Sequence, residues 1–413
     1  MVGRQRHKRI GYFELNSDLL SNMPSEIITN ILVKLPINEA VRTSILSRKW
    51  KYLWASMPDL VFRGVIKEST VDKVLLAHQG PILKFDLDCP HARKKAINRW
   101  LLVLSQNDLK DLSLCFDSPT RCKVPLSVFS CHKLEHLDLY DCSIYAPQCF
   151  HGLKFLQTLK LNSCDLVGIT IEKFVLGCPL LETLELSHFV EHGCLAIHAP
   201  NLKRLYFFGT FTDLLLETPK LISASIFLSN MPHGYLDSVP ANDGCKSKLL
   251  RTISALSNIE ELNIGSELCE YLASGPIPEK LAVTFHHLKK LLIHLNGGSK
   301  EVDTALCIFR NAPNLKKLCL TVPSQIIWED ERITSISFLK QLEVVEVCAF
   351  EDDVSMLAFA KFILGTAPQL QKLVIDKDDI NQLDDGMGFV MKLASFPTLS
   401  SKAVIVFYCS SGY

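Results

Sequence analysis

The sequence contains no run of about 18 uncharged apolar residues, so it predicts no membrane-spanning helix. It has no surplus of charge: Lys and Arg total 44, as do Asp and Glu, which argues against a chain-wide field for nucleic acid or a membrane surface. None of its 15 cysteines forms a C-x-x-C pair, and neither G-x-S-x-G nor a phosphate-loop pattern occurs. An apolar signal segment is missing from the opening "MVGRQRHKRIGYFEL". An odd number of scattered cysteines then reads as reduced thiols serving as small hydrophobes in an intracellular protein. The run "RQRHKR" fits a nuclear-localisation signal or a plain basic tail. Residues 1–16 are therefore expected to be disordered, and the protein to work in the nucleus, the cytoplasm or both.

What is present is a large apolar fraction, 48% against 21% charged, in a chain of 413 residues. That length exceeds what one hydrophobic core usually serves, so several domains or a repeat array are expected. Tryptophan is scarce, four in all, yet Trp50 and Trp54 stand four residues apart in "LSRKWKYLWASM". Upstream, Ile27, Ile28, Ile31, Leu32 and Leu35 make one apolar helix face, with Pro24 in its first turn and Pro36 as its stop. Asn38 is placed to cap a second short helix, and Trp50, Leu53, Trp54 and Met57 line a third. Three helices in so few residues cannot bury all these faces against one another. Part of the surface either docks on another protein or packs on the rest of its own chain.

The stretch "MPSEIITNILVKLPINEAVRTSILSRKWKYLW" resembles an F-box, with its Met-Pro start, internal Ile-Leu, Leu-Pro break and Ser-Arg-x-Trp-x-x-Leu-Trp close. The resemblance assigns residues 17–58 to a three-helix F-box. It implies docking on a Skp-family adaptor and, through it, on a cullin. Pro24, Ile28, Ile31, Leu32, Leu35, Pro36, Leu46, Trp50 and Leu53 are then the candidate adaptor-binding or F-box-core residues.

From residue 59 to 413 an L-x-L signature recurs about 14 times. Its first position falls at Leu60, Phe85, Leu112, Leu137, Leu159, Leu184 and Leu205, then at Ala224, Leu262, Leu291, Leu318, Val345, Leu373 and Val404. The spacing is that of leucine-rich repeats, and "LEHLDLYDC" and "LQTLKLNSC" put Cys142 and Cys164 in the Asn/Cys position after the strand. Prolines in "PLLETL", "PNLKRL", "PKLISA", "PNLKKL" and "PQLQKL" end each return segment before the next strand. The expected fold is α/β: an N-terminal F-box followed by a solenoid with a curved parallel sheet. The array is similar to that of plant F-box/leucine-rich-repeat proteins, and residues 338–376 resemble the FBD region of one subgroup. The segment "FLSNMPHGYLDSVPANDGCKSK", residues 227–248, interrupts the period and reads as a surface loop.

If the repeat leucines point inward, alternate residues line the concave face. Tyr140, Arg204, Tyr206 and Phe208 are candidate client contacts there. Lys290 and Lys317 are candidate client contacts too: they share a position in successive repeats, where two like charges repel and could attract an acidic partner or a phosphate. "HKLEH" and "HFVEH" match a zinc-protease pattern, but both lie on strand-like segments that cannot present two histidines from one helix face, so no metal site is expected. No cofactor is expected either, because two lysines are too few to hold an inositol phosphate. The resemblance implies a non-catalytic substrate-recognition subunit of an SCF-type cullin-RING ubiquitin ligase, with the repeats holding a protein client for ubiquitination. An adaptor-bound scaffold or sequestering protein with no ubiquitination role fits the same sequence. An enzyme hidden in the solenoid lacks a convergent polar cluster, and a nucleic-acid reader lacks a basic stripe.

Overall fold

The computed structural model describes residues 23–64, 66–88, 93–116, 121–145, 147, 150–229, 252, 254–272, 284–296, 299–321, 339–348, 353–377 and 386–409. Its strands in chain order begin with β1 (Asp59–Phe62), β2 (Lys84–Asp88), β3 (Asp111–Cys115), β4 (Cys122–Val124), β5 (His136–Tyr140), β6 (Cys142–Tyr145) and β7 (Thr158–Asn162). They continue with β8 (Asp165–Val167), β9 (Thr183–Val190), β10 (Cys194–His198), β11 (Arg204–Thr210), β12 (Asp213–Glu217) and β13 (Ser223–Leu228). The last are β14 (Glu261–Ile264), β15 (Lys290–His294), β16 (Lys317–Thr321), β17 (Val344–Cys348), β18 (Lys372–Lys377) and β19 (Val404–Cys409). Fourteen of them form one sheet in the order β1-β2-β3-β5-β7-β9-β11-β13-β14-β15-β16-β17-β18-β19, every neighbouring pair parallel. Two smaller parallel ladders, β4-β6-β8 and β10-β12, follow the main strands in the middle repeats.

The sheet is this regular because each repeat can bury its leucines only against its neighbours. Leu60, Phe85, Leu112, Leu137, Leu159, Leu184, Leu205, Ala224, Leu262, Leu291, Leu318, Val345 and Leu373 lie in one continuous register, all buried. The last repeat departs from the sequence expectation. Leu373 pairs with Ile405 and not with Val404, which is left 57% exposed.

A backbone device explains the departure. In each earlier repeat, one carbonyl just before the strand accepts two N–H groups from the next repeat; the Glu135 and His136 amides, for example, both donate to the Lys110 carbonyl at 2.8 Å. At the end the Ala403 amide turns back to the Ser400 carbonyl, and only Val404 donates to Gln371. "KAVIVF" offers the same apolar character in both registers, so side-chain pattern alone could not choose.

Three residues with left-handed backbone sit at the same place in successive repeats: Asp141 (φ 53°), Ser163 (φ 51°) and His188 (φ 50°). Asp141 and Ser163 turn the chain sharply out of the strand. Behind them the Cys142 and Cys164 sulfurs lie buried 3.4 Å apart, and the single S–H of Cys164 has the Leu139 and Asn162 carbonyls within reach at 3.2 and 3.3 Å. These contacts make the Cys position of the repeat a plug for loop carbonyls.

At the N-terminus, helices Ser25–Leu32, Ile37–Arg42 and Trp50–Leu53 form the trio, and the second packs against β1. Pro36, rather than Asn38, stands at the start of the second helix; Asn38 lies inside it, and its Oδ1 has no hydrogen-bond partner among the described residues. The joint to the array is tight: the Gln79 amide donates to the Ala55 carbonyl, and a His78 ring nitrogen lies 2.8 Å from the Met57 carbonyl. Ile28, Leu32 and Trp50 belong to the same apolar core as Leu60 and Phe85. Near the other end, β17, helix Asp353–Thr366 and β18 occupy the FBD-like segment.

Candidate functional site

Two surfaces stand out: the outer side of the helical trio and the open face of the long sheet. In the trio, Ile28, Leu32 and Trp50 are buried and build its interior, so their side chains are not free to meet an adaptor. Leu35, Pro36 and Leu53 are half-buried, with Leu35 and Leu53 packed against the core. Pro24, Ile31 and Leu46 face outward. The nine residues drawn from the F-box pattern therefore divide into an interior set and a surface set. Three exposed apolar side chains were not among them: Ile27 (48% exposed), Ile45 (88%) and Tyr52 (63%). Ile27 was visible in the sequence as part of the apolar helix face. Ile45 lies in the one-turn helix Thr43–Ile45, too short to carry a periodic signal.

The second indole is held by its own turn, Trp54 Nε1 donating to the Lys51 carbonyl at 3.1 Å. Lys49 Nζ donates to the Met23 carbonyl, tying the third helix back to the start of the first. These bonds fix the trio as a rigid body that still presents unburied apolar groups.

On the sheet, residues that alternate with the buried leucines face solvent. Near the F-box this face is acidic. Asp86 is 6% exposed and bonds Arg63 at 2.5 Å through Oδ2, while its Oδ1 has no partner among the described residues. Burial pushes both Asp86 and Asp138 above the ordinary carboxylate pKa, only partly opposed by Arg63 and Lys160 respectively.

The middle of the face is aromatic. Arg204, Tyr206 and Phe208 project from β11, with Tyr206 38% exposed and the Arg204 guanidinium donating to Thr183 Oγ1 at 2.9 Å. Phe208 meets the His188 ring edge-on at a centroid distance of 4.9 Å. That contact exists because the register slips between Phe208 and Gly209, leaving His188 as the extra residue of a bulge and re-aiming its ring. Tyr206 lies 6.2 Å from Phe227, which in turn lies 5.5 Å from His294 on β15. Phe227 and His294 are the contacts that sequence reading left out: it placed Phe227 at the start of a surface loop over 227–248, whereas Phe227 and Leu228 end β13 and residues 230–248 lie outside the described residues. Phe227 was detectable as the alternate residue three places beyond Ala224.

Lys290 and Lys317 are direct neighbours across β15 and β16, as the repeat phase required. Their repulsion is relieved from one side: Glu346 on β17 bonds Lys317 Nζ at 2.6 Å and raises its pKa. Tyr140 does not join the group. Seven strand spacings separate it from Lys317, about 34 Å, so the candidate contacts mark an extended face rather than one pocket.

An F-box domain model matches residues 20–62, and the model for the leucine-rich repeats of FBD-associated F-box protein At5g56370 matches residues 97–320. F-box/FBD/LRR-repeat protein At1g13570 of Arabidopsis thaliana is 33% identical over 415 residues, covering 94% of this chain and 98% of its own. The chain belongs to the F-box/FBD/leucine-rich-repeat family. FBD-associated F-box protein At5g56370 from the same plant is 24% identical and covers 94% of this chain and 100% of its own. Among solved structures, the leucine-rich-repeat protein LIC12759 of Leptospira interrogans covers 84% of this chain and 95% of its own at 14% identity and a TM-score of 0.35.

In this F-box/leucine-rich-repeat protein the two H-x-x-E-H segments do not make a zinc helix. His136 begins β5 and His188 is the bulged residue of β9, so neither motif offers two histidines from one helix face. Among the described residues no group of three or more His, Cys, Asp or Glu side chains is placed to hold a metal ion, and no helix is long and apolar enough to cross a membrane.

Proposed function

We propose that this protein is the substrate-recognition subunit of an SCF-type cullin-RING ubiquitin ligase. The outward residues of the F-box dock on a Skp-family adaptor, and the open face of the repeats holds a protein client. The observation that carries the reading is the contrast in burial. The two inward L-x-L residues of every main-sheet strand from β1 to β18 are sealed, while Ile27, Ile31, Ile45, Leu46 and Tyr52, crowded into the short F-box, stay open to solvent. Covering a large apolar side chain is worth roughly 1.5–3 kcal/mol, so this set can supply the affinity of a small, stable interface. Because the F-box shares one core with the first repeats, the adaptor would be held at a fixed angle to the client face. The chain then contributes proximity and orientation to ubiquitin transfer carried out by other subunits. Such a receptor works in the nucleus, the cytoplasm or both.

The test is co-purification with a Skp-family adaptor. Ile31→Asp and Leu46→Asp are expected to abolish adaptor capture while leaving the melting temperature of the array unchanged. Undiminished capture by both variants would refute the interface. Trp50→Asp is not a clean test, because Trp50 is buried and its loss reports on F-box folding.

A further inference from the structure

The C-terminal ends of β13, β14 and β15 bring two rings and a carboxylate to one glycine. Phe227, Gly265 and His294 each stand one position past the paired isoleucines Ile226, Ile264 and Ile293, so the two rings flank the glycine. Their centroids are 5.5 Å apart and their planes tilted by 60°. Tyr206 extends the aromatic surface from β11, 6.2 Å from Phe227. A Cβ built on Gly265 would come within 3.2 Å of the Phe227 ring and 3.4 Å of Glu267 Oε2, so the missing side chain is what lets ring and carboxylate meet. Helix Ser266–Leu272 begins directly after Gly265 and packs against β13, which brings Glu267 to that place. Phe227, His294 and Glu267 are half-buried and Tyr206 is exposed, so the corner is reachable from solvent.

Glu267 is the member without a counterpart. Among the described residues it makes no hydrogen bond or ion pair, and its oxygens, unlike Asn263 Oδ1, are not sealed from solvent. The histidine beside it does not supply the missing cation. Burial lowers the His294 pKa, opposed by the charge of Glu267, so the ring is neutral near pH 7. The nearest other charges are acidic as well. Burial first, and then the charges of Glu301, Glu267 and Glu270, push up the pKa of the Cys269 thiol on the same helix, and buried Glu301 already accepts from the Asn296 amide. Cations lie at the opposite ends of the strands. Arg204 and Lys290 sit four residues before Phe208 and His294, about 13 Å away along the chain and beyond the Debye length of about 8 Å at physiological salt. Exposed Glu261 stands between those two in the register.

We propose that this corner holds one arginine side chain of the client. A guanidinium is the cation that both stacks flat on an aromatic ring and forks onto a carboxylate, and it gives up water more readily than an ammonium. Its plane lies against Phe227, with Tyr206 and His294 beside it, and its N–H groups donate to Glu267. The inference rests on the reading of the open face as the client surface and gives that client a chemistry, an exposed arginine at the point of contact.

The experiment uses the full chain and acetyl-Gly-Ser-X-Ser-Gly-amide peptides, with X as Arg, Lys or citrulline, titrated by saturation-transfer NMR, which reads weak affinities. The Arg peptide is expected to bind about fivefold or more tightly than citrulline, its neutral isostere, and severalfold more tightly than Lys. Glu267→Gln should bring the Arg peptide down to the citrulline level and remove its salt dependence, with the melting temperature unchanged. Phe227→Leu should weaken the Arg and citrulline peptides alike. Lys290→Gln, at the far end of its strand, should change Arg binding by less than about twofold. Equal binding of Arg and citrulline, or an unaltered Glu267→Gln variant, overturns the proposal. A Lys peptide that binds as tightly as Arg overturns the assignment to a guanidinium, and a Lys290→Gln effect as large as that of Glu267→Gln overturns the placement. Adaptor capture is measured on the same protein. Its failure in the wild type with arginine binding intact would defeat the ligase reading alone; its presence with no arginine binding would defeat the corner alone.

Discussion

The helical trio and the repeat array solve the same problem in opposite ways. Each repeat of the array finds its burial partner in the repeats before and after it, so residues such as Leu159, Leu184 and Phe207 are sealed completely. The trio has helices of 8, 6 and 4 residues and, among the described residues, closes on one side only, against β1 and the start of the array. It seals Ile28, Leu32 and Trp50 and leaves Ile31, Ile45 and Leu46 outside. The difference is geometric rather than compositional. A stacked unit has two apolar faces covered by copies of itself, whereas the trio, among the described residues, has one face covered and one left open.

The comparison breaks most visibly in the array. Leu184→Ala removes a fully buried side chain from the middle of the sheet, and the expected cost is about 2–5 kcal/mol, read as a fall in denaturation midpoint without a change in adaptor capture. Gly152→Ala should be at least as damaging. Its φ of 83° is strained for any L side chain, and an added Cβ would lie 1.8 Å from the Gly177 carbonyl oxygen. In the trio, Ile45→Ala should do the reverse. With Ile45 88% exposed, stability should move by less than about 0.5 kcal/mol while adaptor affinity falls severalfold in a binding titration. A stability loss at Ile45 as large as at Leu184 would mean that the trio is closed by its own chain.

Much of the array was legible in the sequence because it is written 14 times over. Thirteen of the fourteen first-leucine positions align in the sheet as spaced, since a period repeated that often averages out local ambiguity. The exception is instructive. Among the described residues β19 is paired on one side only, with β18, and Val404, Ile405 and Val406 offer apolar side chains in either register, so the hydrogen bonds of Ala403 and Val404 decide. Ile405→Ala is therefore expected to cost about 1 kcal/mol and Val404→Ala almost nothing, a small difference that thermal melts of the two variants resolve.

The sites were less legible. A helix face announces that residues are apolar but not which of them look inward, so Ile28 and Ile31 appeared equivalent although one is buried and the other is not. The aromatic centre depended on a bulge at His188 and on side chains from three different strands, neither of which has a local sequence signature.

The smallest expected effect concerns the polar side of the same contrast. Asp86 and Asp138 lie on the open face near the F-box, where burial raises both pKa values. For Asp86 the Arg63 ion pair cannot repay the desolvation, because the Arg63 side chain is 55% exposed while that of Asp86 is 8% exposed. A carboxyl whose folded pKa lies above its unfolded value favours the folded state when protonated. Its contribution is fully present below the unfolded value, about 3.9, and is lost as pH rises through the folded value. Asp86→Asn should therefore be slightly more stable than the wild type at pH 7, with the gap closing as the pH is lowered towards 4. Paired thermal melts at the two pH values measure it. A variant less stable than the wild type at pH 7 would show that the Arg63 pair outweighs burial, and that the open face near the F-box is held together by charge as firmly as its reverse side is by leucine.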